Sequence, residues 1–581
     1  MSESKRSKKQ KEAGVLAIDN IHMQMETNAY YPYNLQSGWL PEPGSDSMQE
    51  FFKTVLEAEP AAYAESIQAL DDFIEKNHVI TYLVDNACDE NGNIIDSYLT
   101  SDQRDGVPVP RIKDKKALLD GLNHLITIAP HFIKNDLVGV PMSAFIVGID
   151  PTLSGTALFR LPMFNDHMKK VLDEWNKFLE TKASAEGFTE EGKQWLSPAA
   201  KHHYDFPMWK KDNETLPYWN SWNSFFTRQF EHPEKDRPIA DPDSNRIVNC
   251  PNDGSLYKWE EKISEKDVFW FKDMQYSLSD ILSSPIPEQQ AVIDEHKLVE
   301  KFTGGYIFQT YLNPYNYHRW WAPVNGTVLF DPIAIPGCFF SKLVIPDFGG
   351  ATTASTPYLA QVNARGLIVF ETKDYGYVCC IPLGMSEIST VHFHKHKMKQ
   401  GTKVNKGDEM GKFMYGGSSF AILFQNIPGQ KLIFENDKGE EYSKRPILPS
   451  GSAGAGGNVT LIGSKIGVWK PYIDMRGVWN LTVGDADSAT MTIVQTISDD
   501  IGESYTGTLS WNSNPAQYDF FTATIHNEEI TIVRSVNDNP AVSPESTQTY
   551  VGKIQNETTI TGISCSGIGL ASGTKWSATK L

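Results

Sequence analysis

The stretch YGGSSFAILF, residues 415–424, sets two glycines and two serines between Met414 and Tyr415 on one side and Phe420, Ile422, Leu423 and Phe424 on the other. Glycine and serine together usually make a flexible linker, and linkers lack apolar flanks. With these flanks the small residues read as a turn that runs straight into a buried strand. The preceding MKQGTKVNKGDEMGKFM, 398–414, supports that reading, since Gly401 and Lys406-Gly407-Asp408 make two tight turns around short strands.

Working outward, the runs GYIFQTYL, GTVLFDPIAI, GLIVFETK and GYVCCIPLG are short, β-rich and separated by Gly, Pro and Asn. The region before them is helical. In FNDHMKKVLDEWNKFLETK the residues Phe164, Met168, Val171, Leu172, Trp175, Phe178 and Leu179 recur at steps of three and four, which places them on one helix face. MQEFFKTVLEAEPAAYAESIQALDDFIEK has the same pattern, broken at Pro60. PSGSAGAGGNVT, 449–460, has no hydrophobic period and reads as a tether. Beyond it GVWNLTV, ATMTIVQTI, YTGTLSW, DFFTATI and EITIVRSV alternate evenly, as in a small antiparallel barrel or sandwich. The expected fold class is α+β: a disordered or extended tail over 1–45, a helical domain over 46–205, a β-rich mixed domain over 206–447, a Gly/Ser-rich linker over 448–464 and an all-β domain over 465–581.

A net charge of -19 speaks against a nucleic-acid partner, because Lys and Arg cluster only in the SKRSKKQK segment near the start. The longest apolar candidate for a membrane span, LVGVPMSAFIVGI at 137–149, holds a proline and falls short of the ~20 residues a bilayer needs. With no signal-like apolar segment at the N-terminus either, the expected location is cytoplasmic. Cys88, Cys250, Cys338, Cys379, Cys380 and Cys565 lack metal-type spacing and read as buried thiols.

The chemistry is concentrated at Gly417-Ser418. A glycine ahead of a serine on a tight turn lets the serine oxygen approach the preceding carbonyl. Attack would give an ester, elimination would cut the chain, and hydrolysis would leave a pyruvoyl group at residue 418. Such a carbonyl takes an amine into a Schiff base and acts as an electron sink.

KGDEMGKFMYGGSSFAILF resembles the processing site of the phosphatidylserine decarboxylase family. SWNSFFTRQF with DRPI at 221–239, CPNDGSL at 250–256, FKDMQYSLSDIL at 271–282, YNYHRWWAPVNGTV at 315–328 and NARGLIVFE at 363–371 follow in that family's order. WLSPAA and the HMKKVLDEWNKFLETK helix are similar to a fungal branch that includes L-tryptophan decarboxylases. The resemblance implies a pyruvoyl-dependent carboxy-lyase, made by cleavage into 1–417 and 418–581, that decarboxylates an aromatic, tryptophan-like amino acid. Its partners would be an amine-bearing small molecule and its own cleaved fragment. A phosphatidylserine decarboxylase and an unprocessed binding protein are the alternatives. The ligand of the C-terminal β-domain stays open.

By the same resemblance Ser418 forms the pyruvoyl, Gly417 becomes a chain end, Asp253 orients a histidine, and His318 serves decarboxylation. The family's second histidine, the one that activates the serine, is replaced by Trp321, and an indole has no lone pair to act as a base. The base is then either His318, or one of His392, His394 and His396, whose alternation sets them on one strand face, or absent. Arg319 and Arg365 suit a substrate carboxylate or an ion pair; Trp320 and Trp321 suit a stacking pocket or a core. Glu387 is near only in sequence order. No metal is expected.

Overall fold

The computed structural model describes residues 46–98, 112–265, 277–340, 360–442 and 459–581, apart from breaks at 60, 134–135, 138–139, 147, 151, 313–314, 389, 472–474, 485–486, 500–501, 513, 527–528, 536–546, 557 and 567–572. The tail expected over 1–45 and the first part of the expected linker lie outside these residues. Two compact units emerge, drawn from 1–425 with 435–466 and from 426–434 with 467–581.

In the first unit the helical region behaves as its periodicity predicts. The helix Pro162–Leu179 starts on a proline, whose missing N–H costs nothing at a first turn, and buries Phe164, Met168, Val171, Leu172, Trp175 and Leu179. Phe178 is only half-buried. The helix Glu65–Lys76 packs beside it, with Phe73 stacked on His167 at 4.3 Å and the Ser66 N–H bonded to Glu174 at 2.9 Å. Among the described residues no helix is long and apolar enough to cross a membrane.

The mixed region is built on one large antiparallel sheet. Its central strands are β1 (Gly254–Glu261), β2 (Tyr306–Leu312), β3 (Arg365–Glu371), β4 (Tyr377–Ser386) and β5 (Gly417–Phe424), and their order across the sheet is β3-β4-β5-β2-β1. The opening stretch is thus a central strand, paired on both edges. One face, carrying Ile307, Leu367, Val369, Cys379, Ile381, Ala421 and Leu423, is covered by Leu278, Ile281, Ile293, Leu298 and Phe302. Each aliphatic side chain fully buried there contributes about 1.5–3 kcal/mol. On the other face lies a three-stranded sheet of Thr390–Phe393, Glu409–Met414 and Arg319–Trp321. Trp320 is its anchor, against Phe393, Phe413 and Phe420 with ring centroids 5.3, 5.3 and 6.0 Å away.

The linker expected over 448–464 is corrected at its end. Val459 pairs with Ser255 of β1, and Ile462 is buried, so this part is packed chain. The second unit contains a closed eight-stranded barrel from Gly477–Val483 to Thr574–Lys580, its first and last strands paired from Trp479↔Lys580 to Val483↔Trp576. Trp479, Leu481, Met491, Tyr505, Leu509, Phe521, Tyr550 and Trp576 fill the interior, as an eight-stranded barrel of this width allows. Of the two architectures expected for this domain, barrel or sandwich, the barrel is the one formed.

Candidate active site

The turn into β5 is set by Gly416, whose φ of +141° only glycine adopts without strain. Beyond it the chain pairs with β4 as Gly384↔Ser418 and Ser386↔Gly417, so the peptide bond between Gly417 and Ser418 lies opposite a bulge that contains Met385. Asn363 braces the bulge from below, donating to the carbonyls of Gly384 at 2.9 Å and Met385 at 3.1 Å. The bulge re-aims the backbone where the regular ladder would otherwise hold it.

Alternation along β5 separates the two serines. Ser419 faces one side, where its hydroxyl accepts from Gln309 Nε2 and donates to the Thr310 carbonyl, both at 2.7 Å. Ser418 faces the other side, fully buried, with no hydrogen-bond partner for its Oγ among the described residues. A buried hydroxyl left unbonded costs about 1–3 kcal/mol. Of the pair, Ser418 is the one free to react.

His318 is also fully buried, and neither ring nitrogen has a hydrogen-bond partner among the described residues. Its ring stacks on Phe226 at 3.8 Å, and Phe226 in turn meets Tyr415, three residues before Ser418, edge-on at 4.9 Å. Its carbonyl accepts the Phe413 N–H at 2.9 Å. His318 stands two residues before Trp320, as Ser418 stands two before Phe420, and the Trp320 and Phe420 rings pack together. His318 itself is the residue just before the strand Arg319–Trp321, and its ring is linked to the segment that leads into Ser418 through Phe226 and Tyr415. Burial, and then the Arg228 guanidinium, push the His318 pKa well below the ordinary value, against a smaller opposing effect of the backbone at Asn316. The imidazole is neutral, the form that can accept a proton.

Arg228 is buried as well. It lies 4.1 Å over Trp209 and donates to the carbonyls of Phe225 at 3.2 Å and Tyr315 at 2.5 Å, and burial brings its pKa down to about 10.

Asp253 was expected to orient a histidine. Its partners are instead Arg237, at 2.8–3.2 Å through Nε and a terminal nitrogen, and the Ile462 N–H at 2.8 Å. Trp321 lies beside this pair: its N–H bonds to the Pro251 carbonyl at 2.9 Å, and its ring meets Phe230, over which Arg237 sits. By alternation Trp321 points away from the face that carries Trp320.

Two arginines considered for substrate binding are occupied. Arg365 donates to the carbonyls of Asp280, Ile281, Ser283 and Asn363 at 2.7–3.0 Å, capping the helix Leu278–Leu282. Arg319 pairs with Glu409 at 2.6 Å and bonds the Thr227 carbonyl at 2.7 Å. Among the three alternating histidines only His392 lies in a strand, because that strand ends at Phe393. His394 bonds Glu409 and His396 is exposed in a turn, so the three do not share a strand face. No group of three metal-ligating side chains occurs among the described residues.

Sequence reasoning noted Glu387 only as near in sequence order. It follows Ser386, the register partner of Gly417, and is fully buried with a left-handed φ of 60°. No local pattern reveals it; only the register of β4 against β5 brings it to the site.

Comparison with known proteins agrees with this architecture. A family model described as phosphatidylserine decarboxylase matches residues 222–443, and a second model of the same description matches 64–204. Decarboxylase iboD of Amanita muscaria is 34% identical over 311 residues, covering 49% of this chain and 84% of that protein. L-tryptophan decarboxylase of Psilocybe cubensis is 29% identical over 336 residues, covering 53% and 72%. Phosphatidylserine decarboxylase proenzyme 2 of Oryza sativa subsp. japonica is 28% identical over 212 residues, covering 36% and 30%. The chain belongs to the phosphatidylserine decarboxylase family.

Proposed function

We propose that this chain is a pyruvoyl-dependent decarboxylase of a free aromatic amino acid, matured by self-cleavage between Gly417 and Ser418. The observation that carries the reading is the pair of fully buried groups joined through Phe226 and Tyr415, the unbonded Ser418 hydroxyl and the neutral His318 imidazole. A neutral imidazole takes the Ser418 proton as the oxygen attacks the Gly417 carbonyl, and returns it to the departing amide nitrogen. The bulge opposite that peptide bond gives the carbonyl room to leave the strand plane. Removal of the Ser418 α-proton then expels Gly417 as a carboxylate. Water adds to the remaining double bond and ammonia leaves, so the new chain end carries a keto group.

When formed, the pyruvoyl group takes up an amine and draws electrons from the bond to the departing carboxylate. Around it the chain supplies a dry, aromatic enclosure: Tyr415 meets Trp175 at 5.2 Å and Trp222 at 5.4 Å, besides Phe226. His318 returns a proton to the carbon that loses carbon dioxide. The aromatic surroundings and the tryptophan-decarboxylating relatives support a free aromatic amino acid over a lipid headgroup.

Intact mass under denaturing conditions tests the reading. The wild type yields fragments 1–417 and 418–581, the second with a blocked first residue, while Ser418→Ala stays whole. A wild type that remains full length after long incubation overturns it and means that replacing the family histidine by Trp321 abolished maturation. Release of tryptamine from L-tryptophan, set against release of phosphatidylethanolamine from phosphatidylserine vesicles, separates the two substrates.

A further inference from the structure

Before cleavage the site is sealed: Ser418, His318 and Glu387 are fully buried, and Tyr415 is 2% exposed. A substrate reaches residue 418 only if something moves. Cleavage changes one charge at this place, because both ester oxygens stay with Gly417 and its neutral carbonyl becomes a carboxylate. That carboxylate forms one register position from Glu387, since Gly417 pairs with Ser386.

The Glu387 carboxylate is itself fixed. The Ser143 N–H, from the helix Pro141–Ile146, donates to its Oε1. Its backbone is held left-handed, a strained conformation for a side-chain-bearing residue and one that concentrates at functional sites. Tyr415 lies within its field, its phenol pushed up first by burial and then by the Glu387 charge. Two carboxylates in so dry a place repel strongly. Glu387 is anchored by Ser143 and Tyr415 by its aromatic neighbours, whereas the new end at Gly417 joins Tyr415 through Gly416, whose conformation suits a hinge.

We propose that Glu387 is a positioning residue of the reaction: its carboxylate repels the one that self-cleavage creates on Gly417 and drives Gly416 and Gly417 away from the new keto group, clearing the substrate's path. The proposal rests on the self-cleavage reading above. It assigns Glu387 no part in cleavage itself, so Glu387→Gln cleaves like the wild type and fails afterwards.

The test follows intact mass in the wild type and in Glu387→Gln. Carboxypeptidase digestion reads whether the 417 end is free, and phenylhydrazine labelling of fragment 418–581 reads whether the keto group is reachable. Expected are equal cleavage, ready trimming of Gly417 and Gly416 from the wild type, and at least tenfold slower trimming and labelling in the variant. A purely packing role would not couple the two readouts to the charge, and Glu387→Asp should restore both. Equal trimming and labelling in Glu387→Gln overturn the proposal while leaving the cleavage reading intact; so does a Glu387→Gln chain that cannot cleave. If that variant does not fold, the wild type decides alone, because a Gly417 end that resists carboxypeptidase after cleavage overturns the proposal. A wild type that never cleaves removes the underlying reading instead.

Discussion

Replacing Asp253 by Asn tests whether this carboxylate anchors the fold or drives the chemistry. Three contacts from Arg237 and one from the Ile462 N–H converge on it, and the two side chains of the ion pair are only 7% and 8% exposed. Asn keeps the shape but removes the charge, leaving the Arg237 guanidinium buried and uncompensated, which costs about 3–5 kcal/mol. No histidine is among the partners of Asp253, so cleavage should slow by less than about tenfold, whereas losing a general base costs about 10²–10⁴-fold. His318→Gln should show that larger loss. Urea unfolding in a Ser418→Ala background gives the stability change on uncleaved chain, and intact mass against time gives the cleavage rate. An Asp253→Asn chain within about 1 kcal/mol of its parent that cleaves about 10³-fold more slowly would refute the reasoning. Asp253 would then act on the chemistry through a geometry other than this one.

Three more outcomes are expected. The folded His318 resists protonation while the unfolded histidine titrates near about 6.5, so on acidification the unfolded state gains protons first and stability falls as pH drops below that value; His318→Gln should lessen this acid loss by up to about 1.4 kcal/mol per pH unit, measured by urea unfolding between pH 7.5 and 5, and an identical slope would show that His318 titrates normally. Arg365→Lys should lower stability by about 1.5–3 kcal/mol, because a single ammonium cannot serve four carbonyls, while KM stays unchanged; a raised KM with intact stability would return Arg365 to the substrate. Ser419→Ala should cleave within a few-fold of the wild type and lose about 1–2 kcal/mol, since its hydroxyl is tied to Gln309 and Thr310; loss of cleavage equal to that of Ser418→Ala would mean that the wrong serine has been assigned.

What the sequence revealed divides along contact distance. The helix Pro162–Leu179 and the strands around 306–312, 365–371, 377–386 and 417–424 were legible, because their signals are local periodicity and turn residues. Ser418 and His318 were legible as motif residues. The engagement of Asp253 with Arg237 was not: nothing in DRPI or PNDGSL says that those segments meet, and only the folded sheet brings them together. The alternation of His392, His394 and His396 misled, since period two implies one face only while the strand lasts, and this strand ends at Phe393. The glycine-rich composition near 449–460 hid a short strand, because Val459 and Thr460 owe their order to the edge of β1 and not to their own propensity. Glu387 was noted only for its place in the sequence, for a left-handed glutamate just after a bulge leaves no mark in one dimension.

The position of the proposed cut relative to the sheet explains how a chain could break there and keep its sheet. Gly417 and Ser418 are the first residues of β5, so cleavage severs the strand at its end and spares its ladder. From Ser419 to Phe424 every residue stays registered against both β4 and β2, and all are buried. The fragment that begins at 418 therefore contributes a central strand to the sheet of the other, with apolar side chains on both faces. Pulling it out would expose Phe420, Ile422, Leu423 and Phe424 and leave two open strand edges facing water. At the other side of that bond the packed Tyr415 is followed only by Gly416, which lacks a side chain, and Gly417, which meets a bulge, so two glycines alone would form the freed end. On the self-cleavage reading, the fold anchors the end that would carry the reactive group and leaves two glycines at the other.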